Sequence, residues 1–155
     1  MESLLQKYRP KIFEMFFGQE PIVNILKNLL IKRFYVPVYL FSGPQGVGKT
    51  TLARILARSL NCNNLNNGVL CNECESCKNI SDIIEIDASS NTKIEETKEL
   101  LNDINYLPQN GKYKIYIIDE IHMLSNHSFN ALLKVIEEPP KHIIFIFVTT
   151  DKNKI

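Results

Sequence analysis

The chain has 155 residues, enough for one domain with a sizeable core or one domain carrying a small module. Its 45% hydrophobic and 23% charged residues fit a soluble globular protein, and a net charge of +1 excludes a global basic field that gathers nucleic acid or anionic membrane. No apolar run nears the ~18 residues of a bilayer span, and no charged segment followed by an apolar one opens the chain, so the expected compartment is cytoplasmic, with reduced thiols and no membrane.

In chain order, Gln19 to Phe34 reads as an amphipathic helix, with Pro21 in its first turn and Ile22, Ile25, Leu26, Leu29 and Leu30 at helical spacing. "VPVYLFSG" (36–43) is a short apolar run closed by glycine, a buried strand. Thr50 to Leu60 is a helix with Leu52, Ile55, Leu56 and Ser59 on one face and Arg54 and Arg58 on the other. The Asn-rich segment that follows reads as an irregular excursion. "DIIEIDAS" (82–89) is a strand, and Thr92 with Glu95 forms a capping box opening a helix to about Tyr106, with Pro108 beyond it. "KYKIYIIDE" (112–120) is the clearest strand. Ser128 to Glu138 is a helix with Phe129, Leu132, Leu133 and Ile136 inward, stopped by Pro139 and Pro140. "HIIFIFVTT" (142–150) is the fourth strand. Continuous apolar strands alternating with helices predict an α/β fold, a parallel sheet covered on both faces.

"GPQGVGKT" (43–50) matches G-x-x-x-x-G-K-[ST] between a predicted strand and a predicted helix, where a phosphate-binding loop belongs. Gly43, Pro44, Gln45, Gly46, Val47 and Gly48 would curl backbone N–H groups round phosphates. Lys49 would reach the β and γ phosphates, Thr50 would offer its hydroxyl to Mg²⁺, and Thr51 follows in the same turn. "IYIIDE" delivers Asp119 at a strand end, where its carboxylate would order Mg²⁺ and its waters. Glu120 beside it would polarise a water for hydrolysis of the γ-phosphate. A GTPase would want D-x-x-G where the chain has Asp119-Glu120-Ile121-His122, and this mismatch decides against that class. A decayed nucleotide site serving only as a nucleic-acid module is disfavoured by intact Lys49, Thr50, Asp119 and Glu120. His122, His127 and His142 have no metal-ligand spacing and read as packing or surface residues.

All four cysteines, Cys62, Cys71, Cys74 and Cys77, lie in C-x₈-C-x₂-C-x₂-C. Four thiolates suit a closed tetrahedral Zn²⁺, which leaves no open position for catalysis. An iron–sulfur cluster and thiol redox chemistry are the rivals the spacing leaves open. The polar loop around the cysteines makes residues 61–80 an insertion between a finished helix and the next strand, folded by its metal.

"GPQGVGKT", "IYIIDEIHMLSNHSFNALLKVIEEPP", "FIFVTTD" and the four cysteines, in this order, resemble the gamma/tau subunits of bacterial DNA polymerase III, the AAA+ motors of the sliding-clamp loader. The resemblance runs from "KYRP" (7–10) and "GQE" (18–20) to the last residue. It implies an AAA+ ATPase domain over 1–155, incomplete at its C-terminus, within a polymerase (nucleotidyltransferase) holoenzyme, and it supports zinc at the cysteines. It implies that Tyr8, Arg9 and Val23 lie near the adenine and ribose of ATP and that Thr150 senses the γ-phosphate. Thr92, Lys93 and Lys134 would face primed DNA in the assembled ring, although Asn91 stands where relatives often carry arginine. The implied partners are the other subunits of a hetero-oligomeric ring, the sliding clamp and DNA. The arginine finger and lid domain of such proteins would lie beyond Ile155, so the isolated chain is expected to bind ATP weakly and hydrolyse it slowly.

Overall fold

The computed structural model describes residues 20–90 and 93–150. Among them β1 (Val38–Ser42), β2 (Ile83–Asp87), β3 (Lys114–Asp119) and β4 (Ile143–Thr149) form a four-stranded sheet in the order β1-β4-β3-β2. Every pairing is parallel. The helices are α1 (Glu20–Ile31), α2 (Lys49–Asn61), α3 (Glu75–Lys78), α4 (Lys93–Asp103) and α5 (Asn126–Glu137), with a 3₁₀ turn at Ile121–Met123.

The two central strands are buried on both faces, which is what their unbroken apolar runs require. Successive side chains on a strand point to opposite sides, so each strand feeds two cores. Ile115, Ile117, Ile144, Ile146 and Val148 pack with Leu26 and Leu30 of α1 and Leu52, Ile55 and Leu56 of α2. Tyr116, Ile118, Phe145 and Phe147 pack on the other face with Leu100 of α4 and Leu132 of α5. The Tyr116 and Phe145 rings stack there with centroids 5.8 Å apart. The result is the three-layer α/β sheet that the sequence predicts. Its register sets Ser42 beside Thr149 and Asp87 beside Asp119, so the strand tips finish level.

Several boundaries differ from the expected ones for local reasons. Helix α1 stops at Ile31 rather than Phe34 because Arg33 takes a left-handed backbone, φ 54°. The Phe34 N–H donates to the Leu29 carbonyl at 3.0 Å and the Arg33 N–H to Leu30 at 3.1 Å, the pattern of a Schellman cap. The buried stripe of α1 is Val23, Leu26 and Leu30, whereas Ile22 and Ile25 are 41% and 60% exposed. Helix α5 begins at Asn126, earlier than expected, because the Ser125 hydroxyl caps it, accepting from the Ser128 N–H at 3.1 Å. Leu133, expected inward, is exposed. Helix α4 ends at Asp103, short of Tyr106, whose N–H turns back to the Asp103 carbonyl at 3.0 Å. The cysteine segment is not wholly irregular: the Cys74 carbonyl accepts from the Cys77 and Lys78 N–H groups at 3.0 and 3.1 Å, which makes α3.

Two polar clamps hold the connection between α4 and β3. The buried Asp82 carboxylate, just before β2, accepts the backbone N–H groups of Gln109, Asn110 and Gly111, each at 2.6 Å. The Asn61 amide at the end of α2 donates to the Tyr113 carbonyl and accepts its N–H, each at 2.9 Å. Gly111 sits so close to Asn61 that a methyl group there would collide with the amide. Replacing Asp82 by alanine leaves three backbone donors without their carboxylate. We expect Asp82→Ala to lower stability by about 3 kcal/mol in urea denaturation. An unchanged midpoint would mean the clamp contributes nothing.

Candidate functional site

Strand β1 ends at Ser42, and the chain turns through Gly43–Gly48 into α2. Gly46 and Gly48 adopt left-handed backbones, φ 88° and 90°, which the tight curl of this loop requires and which side chains disfavour. No side chain caps α2, so its first N–H groups are available to an anion, and the helix dipole adds positive potential there. The Lys49 ammonium donates to the Pro44 carbonyl at 2.8 Å, across the loop. Loop and lysine thus form one cationic cradle.

Two hollows meet at this cradle. One, about 410 Å³, is apolar and lined by Ile22, Ile25, Leu29, Tyr39, Leu40 and Val47, among others. The other, about 390 Å³, is polar and lined by Gln45, Gly46, Thr50, Thr51, Asp87, Ser89, Asp119, Glu120 and Thr150. Gly48 and Lys49 belong to both. An apolar chamber joined to a polar one through an anion cradle suits a ligand with a flat apolar head and an anionic tail.

The polar chamber is built at the strand tips. The Thr50 hydroxyl donates to Asp119 Oδ2 at 2.9 Å, joining the first turn of α2 to the end of β3 and setting two oxygen ligands side by side. Such a pair suits a hard divalent cation that keeps most of its waters. Glu120 leaves β3 with a left-handed backbone, φ 54° and ψ 48°, uncommon for a residue with a side chain. Its Oε2 accepts from the Thr150 hydroxyl at 3.3 Å and lies 3.4 Å from His122 Nε2. On the neighbouring tip, Asp87 Oδ1 accepts the Ser89 N–H and hydroxyl at 2.9 and 2.6 Å.

The Sγ atoms of Cys62, Cys71, Cys74 and Cys77 all lie within 4.8 Å of one another. Cys62 and Cys71 are 3.6 Å apart, and Cys71 and Cys77 3.9 Å. A tetrahedron of sulfurs around zinc, with Zn–S about 2.3 Å, has edges of about 3.8 Å, so the donor set fits that ion. Backbone N–H groups point at the sulfurs: Cys71 N at Cys62 Sγ (3.3 Å), Cys74 N and Glu73 N at Cys71 Sγ (3.2 and 3.4 Å), and Asn63 N at Cys74 Sγ (3.4 Å). These donors favour thiolates. Burial pulls the Cys74 thiol up, but hydrogen bonds from the Asn63 and Cys77 backbone and from the Cys77 and Cys71 thiols outweigh it and bring it down to about 6. The Glu73 and Cys74 N–H groups lower Cys71. Burial pushes Cys77 up to about 12 and also raises Cys62. Four thiolates need a cation to coexist at this spacing.

The structure brings Gln45, Gly46, Gly48, Lys49, Thr50, Thr51, Asp119, Glu120 and Thr150 together around one cavity. Val23 lies in the core; Ile22 and Ile25 face the apolar hollow instead. Tyr8, Arg9 and Thr92 fall outside the described residues, while Lys134 is exposed on α5. Of the histidines, His127 is exposed and His142 Nε2 bonds the Ile104 carbonyl at 3.0 Å. His122 is largely buried, with Nδ1 2.8 Å from the Thr149 hydroxyl and Nε2 3.4 Å from Glu120 Oε2. Asp87 and Ser89 also line the cavity, and the strand-end aspartate in "DIIEIDAS" was the signal for them.

The chain is similar in sequence and in fold to known proteins. The family model described as "DNA polymerase III, delta subunit" matches residues 18–155. The chain is 50% identical to DNA polymerase III subunit tau/gamma of Haemophilus influenzae, over 99% of this chain and 23% of that protein. It is 48% identical to DNA polymerase III subunit tau of Escherichia coli, over 99% of this chain and 25% of that protein. With DNA polymerase III subunit gamma of Buchnera aphidicola, the figures are 48%, 99% and 44%. The chain thus spans between about a quarter and less than half of these relatives. Among solved structures it is similar to the RuvB Holliday junction branch migration motor of Thermotoga maritima, with TM-score 0.59 and 23% identity over 94% of this chain and 42% of that one. A DNA polymerase III gamma subunit-related protein of the same organism gives TM-score 0.59 and 18% identity over 85% and 40%. These likenesses show the fold, a parallel α/β sheet with helices packed on both faces.

The unequal thiols give a direct check. In reduced, chelator-treated protein, iodoacetamide should label Cys74 first, at a rate that rises through about pH 6 and levels above it, because the thiolate is the nucleophile. Cys77 should label slowly at neutral pH. Equal labelling of the two by mass spectrometry would show that the loop loses this hydrogen-bond pattern in the chelator-treated protein.

Proposed function

This chain belongs to the family described as DNA polymerase III, delta subunit, and from that premise we propose that it is the ATP-binding and ATP-hydrolysing core of a clamp-loader subunit of the gamma/tau type. The observation that carries the proposal is the meeting of the apolar and polar hollows at Gly48 and Lys49. The names of relatives 48–50% identical over nearly the whole chain support the gamma/tau assignment.

In this reading the adenine lies against Ile22, Ile25 and Leu40, and the triphosphate runs over the loop of Gly43–Gly48. The uncapped N–H groups of α2 and the Lys49 ammonium carry the β and γ phosphates. Thr50 and Asp119 hold Mg²⁺, which supplies charge neutralisation at the phosphate oxygens when bound. Glu120 accepts the Thr150 hydroxyl on Oε2, with His122 Nε2 3.4 Å away, and orients a water with its other oxygen. In this reading Thr150 registers the γ-phosphate, and its hydrogen bond to Glu120 supports that role. Asp87 and Ser89 add polar lining on the far side of the chamber.

The cysteine segment, residues 61–80, is proposed as a structural zinc module. Cys62, Leu70 and Cys77 pack in the same core as Leu56 and Leu60 of α2, so the metal would brace the end of the helix that the phosphate loop begins. ATP-driven assembly with other subunits, opening of a sliding clamp and delivery to primed DNA complete the proposed role. Lys134 and the segment at Thr92 and Lys93 are the DNA-facing candidates.

Three outcomes are expected. Lys49→Ala should weaken ATP binding at least about tenfold by fluorescent-nucleotide titration, since it removes a charge from the phosphate cradle. Glu120→Gln should keep ATP affinity while lowering hydrolysis by roughly 10² to 10⁴. Metal analysis should find one zinc per chain, lost in Cys74→Ser with a fall in melting temperature. Full hydrolysis by Glu120→Gln, or a zinc-free stable wild-type protein, would contradict the respective assignment.

A further inference from the structure

His122 lies in the 3₁₀ turn after β3, its side chain 8% exposed, so it does not line the chamber as a solvated residue would. Its Nδ1 is 2.8 Å from the Thr149 hydroxyl, and its Nε2 is 3.4 Å from Glu120 Oε2. A carboxylate only accepts, so the tautomer that suits this pair carries its proton on Nε2. In that neutral form Nδ1 accepts and the Thr149 hydroxyl donates to it.

Thr149 is fully buried at the end of β4. Its carbonyl accepts the N–H of Gly43, the first residue of the phosphate loop, at 3.3 Å. One strand tip therefore touches the root of the loop through its backbone and Glu120 through its side chain and the imidazole. Glu120 needs such support because its left-handed backbone does not by itself fix where its carboxylate points. Both of its contacts fall on Oε2, from His122 and from Thr150, and among the described residues Oε1 has no partner.

We propose that His122 is a positioning residue that ties the carboxylate of Glu120 to the end of β4, so that phosphate loop and water-orienting group are held by the same strand. The proposal rests on Glu120 acting on the water, as read above. His122 acts only through Glu120; it touches neither nucleotide nor metal. It follows that the ring matters to turnover and hardly to binding, and that the nitrogen facing Glu120 matters more than the one facing Thr149.

The test uses the full-length subunit assembled with its partner subunits, measuring ATP affinity, kcat and melting temperature for His122→Ala, His122→Gln, His122→Asn and Glu120→Gln. A glutamine amide reaches the position of Nε2 and an asparagine amide that of Nδ1. Expected are ATP affinities within about twofold of the wild type for all four, and kcat for His122→Ala reduced at least about tenfold. His122→Gln should recover several-fold of that loss and His122→Asn should not. In the Glu120→Gln background, His122→Ala should cause no further drop. Wild-type kcat in His122→Ala would overturn the proposal. So would equal recovery by Gln and Asn, or a loss of affinity and melting temperature matching the loss of kcat, which marks a structural role. If Glu120→Gln itself hydrolyses normally, the reading of Glu120 fails. A slow His122→Ala beside it would then show the histidine acting by another route and overturn the proposal as stated.

Discussion

Strand β4 is buried along its whole length, from Ile143 to Thr149, and the first exposed residue after it is Thr150. Such a strand cannot slip by one residue, because a slip would exchange the two faces and break both cores. Its neighbours β1 and β3 are thereby registered against a fixed reference. The tips of the strands finish level, and Ser42, Asp87, Asp119 and Thr149 come to one edge. Ligands of parallel α/β sheets bind at that carboxyl edge, where connections diverge to opposite faces. The polar chamber is thus a consequence of packing on both faces of the sheet.

That constraint explains what was legible in the chain. "GPQGVGKT" and "IYIIDE" announce themselves because their chemistry demands particular residues at consecutive positions. The apolar runs announce the central strands because burial on both faces leaves no place for polar side chains. Four cysteines in sixteen positions announce a candidate metal-ligand set for the same reason: the donors are close in sequence.

What was not legible depends on contacts between distant segments. Ile22 and Ile25 fit the helical periodicity, yet they face a hollow whose other wall is β1. Nothing within α1 separates a core-facing isoleucine from one that lines a cavity. His122 gains its role from Thr149, 27 positions away. Asp82 has its partners at 109–111, and without that fold it reads as an ordinary residue before a strand. The early start of α5 is different in kind, since the serine whose hydroxyl caps it, Ser125, is a local signal present in the sequence itself. The helical turn α3 follows from the Cys74 carbonyl accepting two N–H groups inside a loop that otherwise carries few helix signals.

In the proposed reading the two hollows form one nucleotide site, with the Gly48–Lys49 junction under the phosphates. A structure of the full-length subunit with Mg²⁺ and a non-hydrolysable ATP analogue tests this directly. The expected density places the adenine between Ile22, Ile25 and Leu40, the phosphates over Gly46–Thr50, and the metal between Thr50 and Asp119. An adenine outside the apolar hollow, or phosphates bound away from Lys49, would contradict it.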